Sequence, residues 1–106
     1  MKIGIVIYST DAETIWNAFR FANFAIEKKD QVNIFLIGKG VEYESKSTEP
    51  FNIIEQAEKF LGLEGKIFAC GTCLKQRNSA GSNLCPLSTM KDMYGIIYES
   101  DKILTF

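Results

Sequence analysis

Short apolar runs without a polar face recur along the chain and alternate with segments of helical periodicity. Residues 3–8 and 32–37 are the clearest of these runs, and residues 66–69, 84–87 and 102–106 are shorter candidates. Strands that lack a polar face are buried on both sides, which is typical of parallel sheets. The alternation therefore predicts an α/β fold: a single doubly wound, mostly parallel sheet of about five strands, with helices on both faces.

The length and charge of the chain limit the classes of protein it can belong to. Its 106 residues are 46% apolar and 24% charged, which predicts one globular domain over residues 1–106. The net charge is −1 and no basic stripe is present, so we expect no nucleic-acid partner. No apolar run approaches roughly 18 residues and no leader pattern precedes the first strand, so we expect no membrane association and a cytoplasmic location.

The first helix is predicted over residues 11–29, opened by a capping box of Thr10 and Glu13. Its apolar stripe consists of Ile15, Phe19, Ala22 and Ile26. Three aromatic residues lie off that stripe, and a helix this apolar all round predicts a second partner surface. These residues are Trp16, Phe21 and Phe24.

The later helices are predicted from their start signals. Residues 41–49 are polar and are interpreted as a surface loop with room for one helical turn, after which Pro50 is expected to open the second long helix. A short helix is expected at about residues 73–78. Thr89 and Asp92 form a capping box for the last helix. The apolar stripe predicted for that helix consists of Met90, Met93, Tyr94 and Ile97.

The residues available for chemistry are three cysteines and no histidine. Without histidine, neither a Ser-His nor a Cys-His pair can form, and no imidazole can bind a metal. An odd number of cysteines in a chain with cytosolic character favours thiol chemistry or metal binding over a disulfide framework.

Cys70 is the first candidate for a reactive thiol because a predicted strand ends there and a helix begins. The backbone N–H groups of Gly71, Thr72 and Cys73 could point back at its sulfur, and a helix N-terminus favours a thiolate. Positive charge one turn away comes from Lys75 and Arg77. We therefore expect Cys70 to be the most acidic and most reactive of the three thiols.

Cys73 and Cys85 leave more than one interpretation open. The spacing of Cys70 and Cys73 is that of a redox pair, and it is equally that of half a zinc site. A structural zinc site needs four ligands and only Cys85 remains as a third thiolate, so we expect no bound metal. Cys85 is either a buried structural residue or a supporting residue of the site. The Cys73 side chain is expected to point into the core.

The turn after the first strand, Tyr8-Ser9-Thr10-Asp11, has the polar character of a phosphate-binding loop. However, residues 9–13 contain no glycine that would let the backbone wrap a phosphate. Helix capping accounts for the polar residues of this turn, so we expect no flavin, nucleotide or other cofactor.

Four segments resemble the DsrE/DsrF-like family of small sulfur-handling proteins, which includes the TusD-type sulfur-relay subunits. They are residues 2–8, Gly38-x-Gly40-Val41, residues 67–74 and residues 101–106. The stretch Cys70-Gly71-Thr72-Cys73-Leu74 also resembles the DsrE-like half of the selenium-metabolism protein YedF.

The resemblance implies a flavodoxin-like fold, a homotrimer or homohexamer, and a persulfide on the cysteine after the third strand, here Cys70. The expected function is that of a sulfur carrier or sulfurtransferase-like protein, with a sulfur donor and a sulfur acceptor protein as partners. Two alternatives stay open: a thiol–disulfide redox protein that uses Cys70 and Cys73, and a non-catalytic assembly subunit.

Overall fold

The computed structural model describes residues 1–106 as a five-stranded sheet with four α-helices and one 3-10 helix. The strands are β1 (Lys2–Ile7), β2 (Gln31–Leu36), β3 (Lys66–Cys70), β4 (Leu87–Ser88) and β5 (Lys102–Thr105). The helices are α1 (Ala12–Glu27), α2 (Ile53–Gly62), α3 (Gly71–Lys75) and α4 (Met90–Glu99), and the 3-10 helix is Gly38–Lys46. None of the helices is both long and apolar enough to cross a membrane.

The sheet has the strand order β4-β3-β2-β1-β5, and every neighbouring pair is parallel. The chain steps from β1 to β4 in one direction and then returns across the sheet to β5. Because parallel crossovers are right-handed, this reversal places α1 and α2 on one face and α4 on the other. The predicted doubly wound α/β fold with helices on both faces is therefore confirmed.

The start of α1 differs from the predicted capping box. The N-cap is Asp11, whose Oδ2 accepts from the Thr14 backbone N–H at 2.9 Å. Thr10 is exposed and does not cap the helix, so the predicted pairing of Thr10 with Glu13 is wrong by one residue. A carboxylate is a strong N-cap acceptor, and this hydrogen bond holds the pKa of Asp11 below its usual value.

The aromatic residues that lie off the stripe of α1 have different environments. Trp16 is half-buried, with the Phe51 ring centroid 5.3 Å away and the Arg20 guanidinium 4.4 Å from its own centroid. Phe21 and Phe24 remain exposed, at 43% and 58%. The expected second surface of α1 is thus partly occupied by the chain itself, and only two of the three aromatic rings remain open.

The helical turn allowed for within the predicted loop of residues 41–49 is a 3-10 helix that covers Gly38–Lys46, and the expectation that this segment lies on the surface is wrong. Val41 and Tyr43 are buried. The Tyr43 ring stacks on Phe19 of α1 with centroids 5.3 Å apart, and its hydroxyl donates to the Leu84 carbonyl. Burial raises the pKa of Tyr43. These contacts tie the segment between β2 and α2 to the core.

The next helix begins later than predicted. Asn52 is the N-cap of α2, and its Oδ1 accepts from the Glu55 N–H at 3.1 Å. Pro50 lies outside the helix, two residues before the cap. The side chain of Asn52 determines the helix start because it satisfies a backbone N–H that has no partner within the first turn.

Helix α4 starts as predicted but buries a different face. Thr89 is its N-cap and accepts from the Asp92 N–H at 3.4 Å. The buried residue is Ile96, which lies over Gly4 of β1, where an added Cβ would be 3.0 Å from Ile96 Cγ2. Met93 is half-buried, and the other members of the predicted stripe are exposed: Met90, Tyr94 and Ile97. The small surface of Gly4, distant in sequence, determines which face packs.

Candidate active site

The site lies where the carboxyl ends of the three central strands meet. Leu36 of β2 pairs with Ala69 of β3, so the residues that follow both strands leave the sheet side by side. Gly40 of the 3-10 helix lies against the end of β1, where an added Cβ would be 2.1 Å from the Ile7 carbonyl oxygen. The segments that follow β1, β2 and β3 are therefore neighbours in the fold.

Cys70 is the last residue of β3 and the N-cap of α3. It is only 3% exposed and belongs to the core cluster. Its side chain accepts no capping hydrogen bond, so the expectation that the N–H groups of Gly71, Thr72 and Cys73 point at its sulfur is wrong. Cys70 instead packs with the apolar residues under the sheet edge, where burial limits its access to large reagents.

Cys73 is more accessible than Cys70, contrary to the expectation that it points into the core. It is half-buried at the site, and its Sγ accepts the Gly38 backbone N–H at a donor–acceptor distance of 3.2 Å. Gly38 has a φ of +57°, a left-handed conformation that glycine adopts without strain. The turn after β2 thus aims a main-chain donor at the sulfur of Cys73.

The two sulfurs affect one another electrostatically. Burial raises the pKa of Cys73, and the adjacent Cys70 thiol raises it further through a hydrogen bond and through its charge. The Gly38 N–H and the charge of Arg77 oppose this shift, because both favour a thiolate at Cys73. The net effect is that the pKa of Cys73 is raised, so Cys73 holds its proton more tightly than an ordinary cysteine.

Arg77 connects the pair to the 3-10 helix. Its Nη1 donates to the Cys73 carbonyl at 3.0 Å, and its Nε donates to Glu42 Oε2 at 2.7 Å. The guanidinium holds the pKa of Glu42 below its usual value through this hydrogen bond. Arg77 is thus an anchored residue of the site and not only a source of positive charge.

The remaining predicted supporting residues do not contact the sulfurs. Thr72 and Lys75 are exposed, and Lys75 forms no ion pair. Gly71 has a steric role, because a Cβ there would be 2.8 Å from the Ser88 carbonyl of β4. Close approach of α3 to β4 therefore requires glycine at this position.

Cys85 lies apart from the pair. It is 2% exposed, and its thiol donates to the Val41 carbonyl at 3.5 Å. Burial raises its pKa to about 11, and the negative charge of Glu44 contributes to the shift. No group of three or more cysteine or carboxylate side chains is arranged to hold a metal ion. The structure thus supports the structural interpretation of Cys85.

The hydrogen bond from Gly38 to Cys73 and the ion pair between Arg77 and Glu42 are not predicted from the sequence. Gly38 has a left-handed backbone conformation, and its N–H donates to the Cys73 sulfur. The one usable signal was the Gly38-x-Gly40 pattern after a buried strand, which marks a tight backbone turn at the functional edge of the sheet.

The fold and site define a small α/β protein with a thiol pair at the carboxyl edge of a parallel sheet. The sequence pattern of the DsrE/DsrF-like family matches residues 1–106. The chain therefore belongs to the DsrE/DsrF-like family.

Two archaeal proteins are similar in sequence. The uncharacterized protein MJ0989 of Methanocaldococcus jannaschii is 33% identical, with both chains covered in full. The uncharacterized protein MK0008 of Methanopyrus kandleri is 32% identical over 89% of this chain and 83% of its own. Neither has a described activity, so these relatives support the family and no particular reaction.

Two solved structures share the fold. The ychN protein of E. coli superposes with a TM-score of 0.85 at 23% identity, covering 100% of this chain and 99% of its own. A conserved protein of unknown function from Bacteroides thetaiotaomicron, BT1422, gives a TM-score of 0.80 at 20% identity, covering 99% and 94%. At this level of identity the likeness concerns the fold alone.

Proposed function

We propose that this protein is a sulfur carrier that holds sulfane sulfur as a persulfide on Cys70 and passes it to a cysteine of a partner protein. The observation that carries the proposal is the position of Cys70 and Cys73 at the carboxyl end of β3, with the Gly38 N–H donating to the Cys73 sulfur. Membership of the DsrE/DsrF-like family adds support, since the sulfur-relay subunits that the sequence resembles use the cysteine after the third strand.

The proposed chemistry exchanges one sulfur atom without net oxidation. A Cys70 thiolate bonds to the outer sulfur of a donor persulfide, the sulfur–sulfur bond of the donor breaks, and the donor leaves as a thiolate. Delivery is the reverse step on an acceptor thiolate. Burial of Cys70 supports storage of the sulfur. Cys70 is 3% exposed, so a persulfide on its sulfur is shielded from small reductants in solution.

Intact-mass measurement after incubation with inorganic polysulfide tests this function. We expect the wild-type protein to gain one sulfur atom that dithiothreitol removes once the protein is unfolded in guanidinium chloride, with peptide mapping placing the stored sulfur on Cys70. The double variant Cys70→Ser/Cys73→Ser should gain none. Cys85→Ser is the matched control, and it should load as the wild type does because Cys85 lies apart from the pair. Equal loading of the double variant and the wild type would reject the proposal.

A second candidate function is a thiol–disulfide redox protein, favoured by the position of Cys70 and Cys73 three residues apart where β3 ends and α3 begins. If the Cys73 thiolate bonds to the Cys70 sulfur of a Cys70 persulfide, hydrosulfide leaves and a Cys70–Cys73 disulfide closes. A loss of two hydrogen atoms in the intact mass, abolished by Cys73→Ser, would favour this function. Retention of the added sulfur in the wild type for as long as in Cys73→Ser would favour the carrier.

We also propose that the chain assembles as a homotrimer or homohexamer. The support comes from α4, which exposes a row of large side chains after its buried face is satisfied: Met90 (57%), Tyr94 (71%), Ile97 (45%) and Tyr98 (79%). The rings of Tyr94 and Tyr98 stack on each other with centroids 6.1 Å apart, and they present a broad aromatic surface. Contiguous apolar surface of this kind is uncommon on monomers.

Sedimentation velocity checks the assembly. At micromolar concentration we expect a particle at least three times the 11.9 kDa mass of one chain. Tyr98→Glu should shift the population toward the monomer because it places a charge in the aromatic surface, whereas Lys102→Glu on the edge strand β5 serves as a charge control. A wild-type particle of one chain mass would reject the assembly.

A further inference from the structure

We propose that sulfur enters and leaves through Cys73, and that Cys73 relays it to Cys70 by an exchange within the chain. This inference rests on the proposed carrier function and assigns a distinct role to each thiol. Cys73 is the docking thiol that meets the partner's sulfur, and Cys70 is the storage thiol behind it.

The difference in burial is the first argument. Cys70 is 3% exposed and belongs to the core, whereas Cys73 is half-buried beside the exposed residue Thr72. Sulfur exchange requires the attacking sulfur, the transferred sulfur and the leaving sulfur to come into contact. A persulfide carried by another protein can therefore contact Cys73 more readily than Cys70, which is almost fully buried.

The donors around Cys73 are the second argument. The Gly38 N–H contacts the Cys73 sulfur at 3.2 Å, while the Cys70 sulfur receives no capping N–H. A backbone donor aimed at a sulfur stabilises negative charge on it. Cys73 carries that charge as the thiolate before it attacks a donor, and the charge develops on Cys73 again when it is the leaving group of the internal transfer. The Arg77 hydrogen bond to the Cys73 carbonyl and the ion pair to Glu42 keep this segment in place.

The relay balances in two steps. In the first, Cys73 loses its proton to solvent and bonds to the outer sulfur of the donor persulfide, whose inner sulfur leaves as a thiolate and takes up that proton. In the second, Cys70 bonds to the outer sulfur of the Cys73 persulfide, the Cys73 sulfur–sulfur bond breaks, and the Cys70 proton passes to Cys73. The sulfane sulfur keeps its oxidation state throughout, so the relay needs no oxidant or reductant.

Time-resolved loading from glutathione persulfide tests the relay. Samples are quenched with iodoacetamide, and the persulfide is located by peptide mapping. In the wild type we expect the added sulfur on Cys73 at early times and on Cys70 later. Cys70→Ser should still load, with the sulfur retained on Cys73. Cys73→Ser should load at least tenfold more slowly than the wild type, and Cys85→Ser should match the wild type.

The outcomes separate the relay from the carrier function. If Cys70→Ser gains no sulfur while Cys73→Ser loads at the wild-type rate, the relay is wrong and the carrier function stands. Early appearance of the wild-type persulfide on Cys70 alone leads to the same conclusion without any substitution. If the wild type gains no sulfur from either glutathione persulfide or inorganic polysulfide, both proposals fail together.

Discussion

Gly40→Ala is expected to lower the free energy of unfolding by at least about 3 kcal/mol, a change of more than about a hundredfold in the folding equilibrium. The added Cβ would lie 2.1 Å from the Ile7 carbonyl oxygen and 3.1 Å from Tyr8 Cα. Both contacts are with backbone, so no side chain can rotate away to relieve them. Either the 3-10 helix or the end of β1 has to move. Urea denaturation followed by circular dichroism measures the change.

Gly95→Ala provides the matched control for this substitution. Gly95 lies within α4, and an added Cβ there would have no heavy atom within 4 Å. Alanine in an exposed helix position is favoured over glycine by about 0.5–1 kcal/mol, so this variant is expected to be slightly more stable than the wild type. Equal unfolding free energies for Gly40→Ala and Gly95→Ala would contradict the prediction, because the 3-10 helix could then shift away from β1 without loss of stability.

Gly40 also links stability to the site. The same turn contains Gly38, whose N–H contacts the Cys73 sulfur. If the 3-10 helix shifts away from β1, this donor moves with it. A Gly40→Ala protein that remains folded is therefore expected to load sulfur more slowly than Gly95→Ala, because Cys73 loses its backbone donor.

The fold was predictable where burial is complete. Strands β1 and β2 are buried along nearly their whole length, so their sequences contain little besides apolar residues and need no knowledge of their partners. The 3-10 helix was not predictable in this way. Tyr43 is buried because it meets Phe19 and the Leu84 carbonyl, 24 residues before it and 41 residues after it. A polar local sequence cannot report such contacts.

Helix α4 shows a second limit of local pattern. Its residues have two apolar rows, one containing Ile96 and one containing Tyr94 and Ile97. Periodicity identifies both rows and does not rank them. The choice is made by Gly4 on β1, which leaves space for Ile96, and by the Ser100 hydroxyl, which donates to the Ile96 carbonyl at 2.5 Å. The row with more aromatic surface is the one left exposed.

The pairing of Cys70 and Cys73 was predictable from the sequence, but the exposure and hydrogen-bond partners of the two thiols were not. The spacing of Cys70 and Cys73 predicts that both lie at one strand end, and in the structure Cys70 ends β3 while Cys73 lies in the following helix α3. Their exposure is the reverse of the expectation, because the donor that orients Cys73 is Gly38, 35 residues earlier. The prediction that backbone N–H groups would point at the Cys70 sulfur requires a regular helix N-cap. Helix α3 has only five residues, and the Cys70 sulfur accepts no cap hydrogen bond.

Cys85 is expected to react with iodoacetamide at pH 8 at least about a hundredfold more slowly than a cysteine in an unstructured peptide. Burial and the charge of Glu44 raise the pKa of Cys85 from 9.0 to about 11. Two pH units correspond to roughly a hundredfold smaller thiolate fraction, and only the thiolate reacts. Peptide mapping of the native protein, with labelling in guanidinium chloride as the reference for complete access, measures the rate.

The pH dependence of Cys85 labelling tests the direction of its pKa shift. Because a raised pKa disfavours the thiolate, labelling of native Cys85 should rise about tenfold per pH unit above pH 8 and level off only near pH 11. Levelling near pH 9 would mean that the thiol reacts only after the surrounding structure opens. Glu44→Gln should speed labelling of Cys85, since it removes a nearby negative charge, whereas Glu13→Gln on α1 should leave the rate unchanged. A Cys85 rate within tenfold of the peptide at pH 8 would contradict the buried, isolated position assigned to this thiol.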